Sequence, residues 1–345
     1  VATRYATAAG AGAKDGAAWA SAFGAAELRT WLNGASPAAG DVIYVAAGTY
    51  DFATVGAIAA ANDGTATAPI TLIGTTGENT TEADGDSRPL WTCGGNAIAF
   101  DNYWKIAGLR LTGTATGTAS LLQADLGSEV RNCKAINTGT GKSLYLGDAE
   151  SRALDCELSA SAGIALSLGG GYNLSYRNRI YGSATGITGT WKGGVVVGCE
   201  IVGCTTGITV PTHAWVIDGN VIYGAASPAG TGISFAGYSG TALNNILEGL
   251  ATAFSGSNPP GNFRIEYNGL FNNTTNASAG LTLSATNQAL SASPFVDAGN
   301  GDFRALPAVR GLGWSRNMPG RTIRSYIDPG AYQRQDWAPL GGLYT

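Results

Sequence analysis

The chain has 345 residues, a formal net charge of −4, only 13% charged residues and 52 glycines. An acidic balance without a basic face excludes a nucleic-acid binder, which must neutralise phosphates, and no apolar run reaches the length of a membrane span. Short runs of Val, Ile, Leu and Thr between Gly and Asn punctuation predict many short strands joined by tight turns.

Residues 1–39 read as an N-terminal cap. Ser21 is placed as the N-cap of a helix running to Asn33, with Leu28, Trp31 and Leu32 on one face and Gly34 as its stop. Such a helix would cover the open edge of the strands that follow. The opening VATRYATAAG lacks a charged start followed by an apolar stretch, so no export signal is expected. Residues 40–50, GDVIYVAAGTY, read as an alternating strand closed by a glycine turn. The stretch Glu78 to Asp86 then gathers carboxylates. Glu82, Asp84 and Asp86 are weak Ca²⁺ candidates, because their spacing is not that of an EF-hand loop, and a solvated acidic loop is the plainer account.

Over residues 40–275 the sequence repeats. Leu109, Cys133, Cys156, Asn178, Cys199, Asn220, Asn245 and Asn268 each open the pattern anchor, variable, apolar, variable, turn-former, at steps of 24, 23, 22, 21, 21, 25 and 23 residues. A fixed period of this size predicts a solenoid whose coils bury their apolar sides only by stacking. In residues 172–193 one strand runs from Leu174 to Arg177, a second from Arg179 to Tyr181, and a third begins at Gly186-Ile187, with Ile180 and Ile187 inward. Asn178 is assigned a turn with positive φ and an amide bonded to the Asn of the next coil. Gly163-Ile164, Gly207-Ile208 and Gly232-Ile233 are aligned as further copies of the third strand.

The residue after each anchor forms one outward column: Arg110, Lys134, Glu157, Arg179 and Glu200. With Tyr181 and Tyr223 nearby, these are the candidate glycan or subunit contacts, and ion pairing along the column is the plain alternative. Cys93, Cys133, Cys156, Cys199 and Cys204 are an odd set, three of them at anchors, which predicts buried, reduced thiols packed as small hydrophobes. With a single His, His213, assigned to a turn, no zinc site and no cofactor is expected. Residues 276–345 break the repeat and read as a C-terminal cap and extended docking tail.

The Asn ladder, the Gly-Ile third strand and the coil length resemble the right-handed parallel β-helix proteins of the pectate-lyase-like superfamily. TRYATAAGAGAKDGAAWASAF followed by AAGDVIYVAAGTY resembles the start of polysaccharide lyases and of bacteriophage virion proteins in that group, and SPFVDAGNGDFRAL resembles its closing segment. The resemblance implies an all-β, single-stranded parallel β-helix of about 23 residues per coil. In such lyases it implies a Lys or Arg base and a cation beside a uronate carboxylate, on outward positions after the Gly-Ile motif. Those positions here are assigned to Ala165, Ser167, Thr188, Thr190, Thr209 and Ser234, none an acid or base near neutral pH. The resulting expectation is a non-enzymatic virion component, such as a capsid decoration, fibre or tail-associated protein. It would be made in the host cytoplasm and contact other virion proteins through its C-terminal tail, as a homo-oligomer or against host polysaccharide. The alternatives are a polysaccharide lyase or tailspike depolymerase, and an exported carbohydrate-binding surface protein.

Overall fold

Each coil has three short strands, and none of them hydrogen-bonds within its own coil. In the computed structural model, residues 1–306 are described apart from 61, 96–97, 213, 225–229, 237–238 and 257–262. Equivalent strands of successive coils pair in parallel into three sheets. The first sheet has eleven strands, from Thr3–Ala6 to Phe263–Glu266, and the second has eleven, from Thr49–Asp51 to Gln288–Ala289. The third has ten, from Ile58–Ala60 to Thr275–Ala277. The chain is thus the expected parallel β-helix. Among the described residues no helix is long and apolar enough to cross a membrane.

Parallel pairing places like positions above one another, so the core is built of apolar columns. Leu158, Ile180, Ile201, Ile222, Leu247 and Leu270 form one, and Leu144, Leu166, Ile187, Ile208, Ile233 and Phe254 another. Ile180 and Ile187 are fully buried, as assigned. Burying each such side chain contributes roughly 1.5–3 kcal/mol.

The anchor column stacks as expected. Asn220 Nδ2 donates to Asn245 Oδ1 at 2.9 Å, Asn245 Nδ2 to Asn268 Oδ1 at 3.0 Å, and Asn268 Nδ2 to Asn287 Oδ1 at 2.8 Å. The same amides donate inward to Val196 O, Ile217 O and Ala242 O, while Asn178 Oδ1 accepts from Cys156 N at 2.8 Å. The left-handed residue, however, is the one before the anchor. Asn132, Asp155, Arg177, Asn244 and Tyr267 have φ between 48° and 57°, and Gly108, Gly198 and Gly219 take the same place in other coils. The anchor keeps an ordinary backbone so that its amide can point inward. All five cysteines are free and buried, and burial pushes the Cys133 thiol up to about 12 and the Cys199 thiol up to about 11.

Three boundaries differ from expectation. The cap helix is Ala25–Asn33, with Gly24 as N-cap, its N–H donating to Glu27 Oε2 at 3.2 Å. Ser21 instead ends a 3-10 turn, and its hydroxyl is taken by Asp15 at 2.6 Å. Leu28 and Leu32 are buried, and Trp31 packs on Phe23. Stacking begins before residue 40, because Thr3–Ala6 already pairs with Val42–Val45. At the other end the repeat outlasts residue 275: Thr275–Ala277 and Gln288–Ala289 extend the third and second sheets. Phe295–Asp297 and Asp302–Ala305 then form an antiparallel hairpin that folds back on the second sheet rather than extending away. Residues 307–345 of the expected docking tail lie outside the described residues.

Replacing Ile180 with Asp would put an unpaired charge in the core, at a cost on the order of several kcal/mol; the variant is expected to lose cooperative thermal unfolding by circular dichroism. Asn245→Ala would orphan the buried Asn220 N–H and Ile217 carbonyl, each on the order of 1–3 kcal/mol. Its urea midpoint is expected to fall well below that of the parent chain.

Candidate active site

The outer face of the third sheet carries the chemistry. Strand Lys142–Leu146 lies between Ser120–Ala124 and Ile164–Leu168, with Lys142 beside Ser120 and Ile164, and Tyr145 beside Gln123 and Ser167. Lys142 Nζ donates to Thr118 O at 2.8 Å and stands 4.7 Å from the Tyr145 ring centroid. Asp125 follows the end of the neighbouring strand, and Gln123 Nε2 donates to both its oxygens at 3.2 Å.

Two glycines let these groups converge. A Cβ on Gly147 would stand 1.8 Å from Asp125 Oδ1 and 3.4 Å from Tyr145 Cε1. A Cβ on Gly169 would stand 2.4 Å from the Tyr145 hydroxyl oxygen. Only a bare backbone accepts a carboxylate and a phenol this closely. Tyr145 therefore sits between the Lys142 ammonium and the Asp125 carboxylate, over a glycine floor.

More carboxylates flank this group on the same corner, where the third sheet turns into the first. Asp101 occupies the place of Asp125 one coil earlier, since Phe100 pairs with Ala124, and Asp148 follows Gly147. Asp63 accepts from Asn102 N at 3.1 Å. Burial, followed by the charges of Asp148 and Asp101, pushes the Asp125 carboxyl up, against the Gln123 hydrogen bond. Burial and the charges of Asp63 and Asp148 push Asp101 up. Burial, then Asp125 and Asp148, holds the Tyr145 hydroxyl above its ordinary range, so it stays protonated, while burial lowers Lys142. The arrangement supplies a cation, a neutral phenol and a carboxylate of enhanced basicity side by side. Among the described residues no three His, Cys, Asp or Glu side chains are gathered so as to hold a metal ion. The carboxylates are strung along the axis rather than closed into a cage, so they do not fit the cation that the lyase resemblance implies.

The sequence reading missed this face because it did not carry the third strand back to the coil before Gly163: Ser167, Thr188, Thr209 and Ser234 do share one column, which continues to Tyr145 and Gln123, and only the start of the Gly163 copy was out of register. Gly163-Ile164 is not equivalent to Gly186-Ile187: Ile164 pairs with Thr185, and Leu166 with Ile187. Ala165 is buried rather than outward. In the true register Lys142 is outward and equivalent to Ile164. A usable signal was present in Asp101, Asp125 and Asp148, three Asp at the repeat period just past apolar strands.

The column on the second sheet forms as expected, with Arg110, Lys134, Glu157, Arg179 and Glu200 in register. Its charges are partnered: Lys134 with Glu157 at 3.0 Å, Arg179 with Glu200 at 3.1 Å, and Arg110 with Asp86 at 3.1 Å. Burial and Glu157 push Tyr181 up to about 12. Tyr223 packs edge-on against Phe303 of the C-terminal hairpin, at 5.4 Å between ring centroids. The acidic loop is likewise divided among cations. Glu82 takes Arg131, Asp84 takes Arg88 and Asp86 takes Arg110. His213 lies outside the described residues.

No protein-family model and no curated protein matches the chain. Solved structures do. The pectate lyase Pel9A aligns over 97% of this chain and 96% of its own, at 13% identity and a TM-score of 0.53. An alginate lyase from a Paenibacillus species aligns over 83% of this chain and 98% of its own, at 16% identity and a TM-score of 0.44. A rhamnogalacturonan lyase covers 80% of this chain and 74% of its own, at 13% identity and a TM-score of 0.38. The first likeness shows the parallel β-helix fold. The expectation of a non-enzymatic virion component is corrected here, the fold match over nearly the whole chain being to a pectate lyase. Its physical premise also fails, since the third-sheet face carries Lys142, Tyr145 and Asp125.

Gly147→Ala is expected to leave the melting temperature within a few degrees, because its clash is with a movable carboxylate. It should swing Asp125 toward solvent. Carboxyl NMR titration is expected to find Asp125 above the ordinary carboxylate range in the parent chain and lower in the variant.

Proposed function

We propose that this protein is a polysaccharide lyase that cleaves a uronate-containing polymer by β-elimination. The observation that carries the reading is the row Lys142, Tyr145 and Asp125 over the bare backbone of Gly147 and Gly169. The fold, shared with a pectate lyase, supports the substrate class.

Each group has one task. The Lys142 ammonium pairs with the uronate carboxylate and stabilises the negative charge that builds on it as the adjacent C5–H bond breaks. Asp125 accepts that proton; its raised pKa brings the base closer to a working pH near neutrality. Electrons from C5–H form the C4=C5 double bond as the C4–O bond breaks, and Tyr145 donates its proton to the departing glycosidic oxygen. Proton return from Asp125 to the phenolate through solvent resets the site. Lys142 is assigned the cationic role because the Tyr145 ring and the Thr118 carbonyl both favour its charged form.

The test is the ultraviolet absorbance of the unsaturated product during incubation of the full chain with polygalacturonate and with alginate. Tyr145→Phe is expected to lower kcat by about 10²–10⁴-fold, and Lys142→Ala by a comparable factor, with melting unchanged. Lys134→Ala, in the self-neutralised column of the second sheet, is expected to remain within about twofold of the parent. The pH profile should be bell-shaped. Its acid limb lies above the ordinary carboxylate range, because Asp125 must lose its proton, and its alkaline limb is set by loss of the Lys142 charge below the ordinary lysine value. Absence of unsaturated ends with every uronan tested, or parent-like rates in both Lys142→Ala and Tyr145→Phe, would overturn the reading.

A further inference from the structure

Two large aromatic side chains near the active-site corner are left mostly in solvent. Tyr172 is 74% exposed and Trp191 is 65% exposed. The register that ends three third-sheet strands at Leu146, Leu168 and Gly189 makes Asp148, Gly170 and Trp191 equivalent on successive coils. Glu150, Tyr172 and Gly193 are equivalent in the same way: Glu150 N donates to Gly171 O at 3.1 Å, and Tyr172 N to Lys192 O at 3.4 Å. Trp191 therefore lies on the line of Asp148, two coils further along the axis, and Tyr172 lies one coil further, on the line of Glu150 two residues beyond.

Backbone preference does not explain Tyr172. Its φ is 62°, in the left-handed region, a place held in other coils by Gly127 and Gly193 and also by Tyr103, Glu150 and Ala214. A side chain there costs about 1–2 kcal/mol, and Tyr172 recovers little of this by burial. Its ring instead lies over bare backbone: a Cβ on Gly193 would stand 3.0 Å from Tyr172 Cδ1. Trp191 is carried on a pinned turn, its carbonyl accepting from Trp215 Nε1 at 3.1 Å and Thr212 Oγ1 at 2.8 Å. Between Asp148 and Trp191 the chain reads Gly169-Gly170-Gly171, a floor without side chains.

We infer that Tyr172 and Trp191 are a sugar-binding platform, on which pyranose rings of the polymer lie against the aromatic faces while the chain runs along the solenoid axis from the Lys142–Tyr145–Asp125 group. This assignment rests on the lyase reading for its direction and substrate class. The physical match is that sugar C–H faces are apolar and their rims polar, which suits an exposed aromatic flanked by backbone. A preset platform also spares the ordering cost of binding. Coils stack about 4.8 Å apart, so successive coils can each meet a successive part of an extended polymer.

The test uses the full chain, with polygalacturonate, alginate and their trisaccharides as probes. Tyr172→Ala and Trp191→Ala together are expected to lower the polymer-to-trisaccharide ratio of kcat/KM by about tenfold or more. Binding is read separately from turnover. Acrylamide quenching assigned to Trp191, taken as the difference between the parent and Trp191→Phe, should fall when polymer is added, also in a Lys142→Ala background. Protection of Trp191 without turnover in the parent would keep the platform and sink the lyase reading. Turnover without protection, and with an unchanged polymer-to-trisaccharide ratio, would sink the platform and keep the lyase. Neither turnover nor protection with either polymer overturns the platform.

Discussion

Each strand inside the three stacked sheets satisfies its backbone on the coil before and the coil after, so its residues' nearest neighbours are their equivalents at the repeat distance. Position along the coil then decides chemistry. An inward position must be apolar, as in the Ile180 and Ile187 columns, because a buried polar group would meet copies of itself. The anchor escapes this by using an amide. A carboxamide both donates and accepts, so Asn220, Asn245, Asn268 and Asn287 satisfy one another and still hold the carbonyls beneath them. A carboxylate could only repel its copies there, and Cys133, Cys156 and Cys199 avoid the problem by remaining neutral.

On outward columns the same stacking lets the order of charges decide what a face can do. On the second sheet, cations and anions come within reach of one another in Lys134–Glu157 and Arg179–Glu200, and the column cancels itself. On the corner after the third sheet, Asp101, Asp125 and Asp148 come in sequence, and burial together with neighbouring carboxylates pushes Asp101 and Asp125 up. The nearby Lys142 is bonded to a carbonyl rather than a carboxylate. One face therefore reads as ballast and the other as a site, although both are charged.

This explains what the sequence made legible. The period, the inward Ile180 and Ile187, the buried thiols and the charged column all follow from counting residues, because stacking turns sequence distance into spatial adjacency. The site depended on register within a coil, which counting does not fix. Glycine misled there: Gly186 is a buried strand position, while Gly163 is a turn residue donating to Ala160 O, and aligning the two placed Ala165 outward when it is buried. Asn178 was given the left-handed turn that Arg177 takes, because Asn has the propensity, whereas the fold needs its amide directed inward. Ser21 lost the helix N-cap to Gly24 because Asp15 already held its hydroxyl.

The C-terminal hairpin completes the division of labour between faces. Beyond Glu200 the outward column of the second sheet turns apolar, with Val221 and Ile246, a surface that would invite association if left open. Phe295 and Phe303 cover it, packed edge to face at 5.2 Å, and Ser293 donates to the Glu248 carboxylate at 2.9 Å beside them. The described part of the segment that reads in sequence as a docking tail, up to residue 306, thus packs on this chain's own surface. With that stretch of the second sheet sealed and its charges upstream paired, Lys142, Tyr145 and Asp125 on the third-sheet side, and the exposed Tyr172 and Trp191 past it, are left outside the seal. On the proposed reading, a polymer would meet Lys142, Tyr145 and Asp125 on adjoining coils of the third-sheet face, with Tyr172 and Trp191 on the turn beyond it.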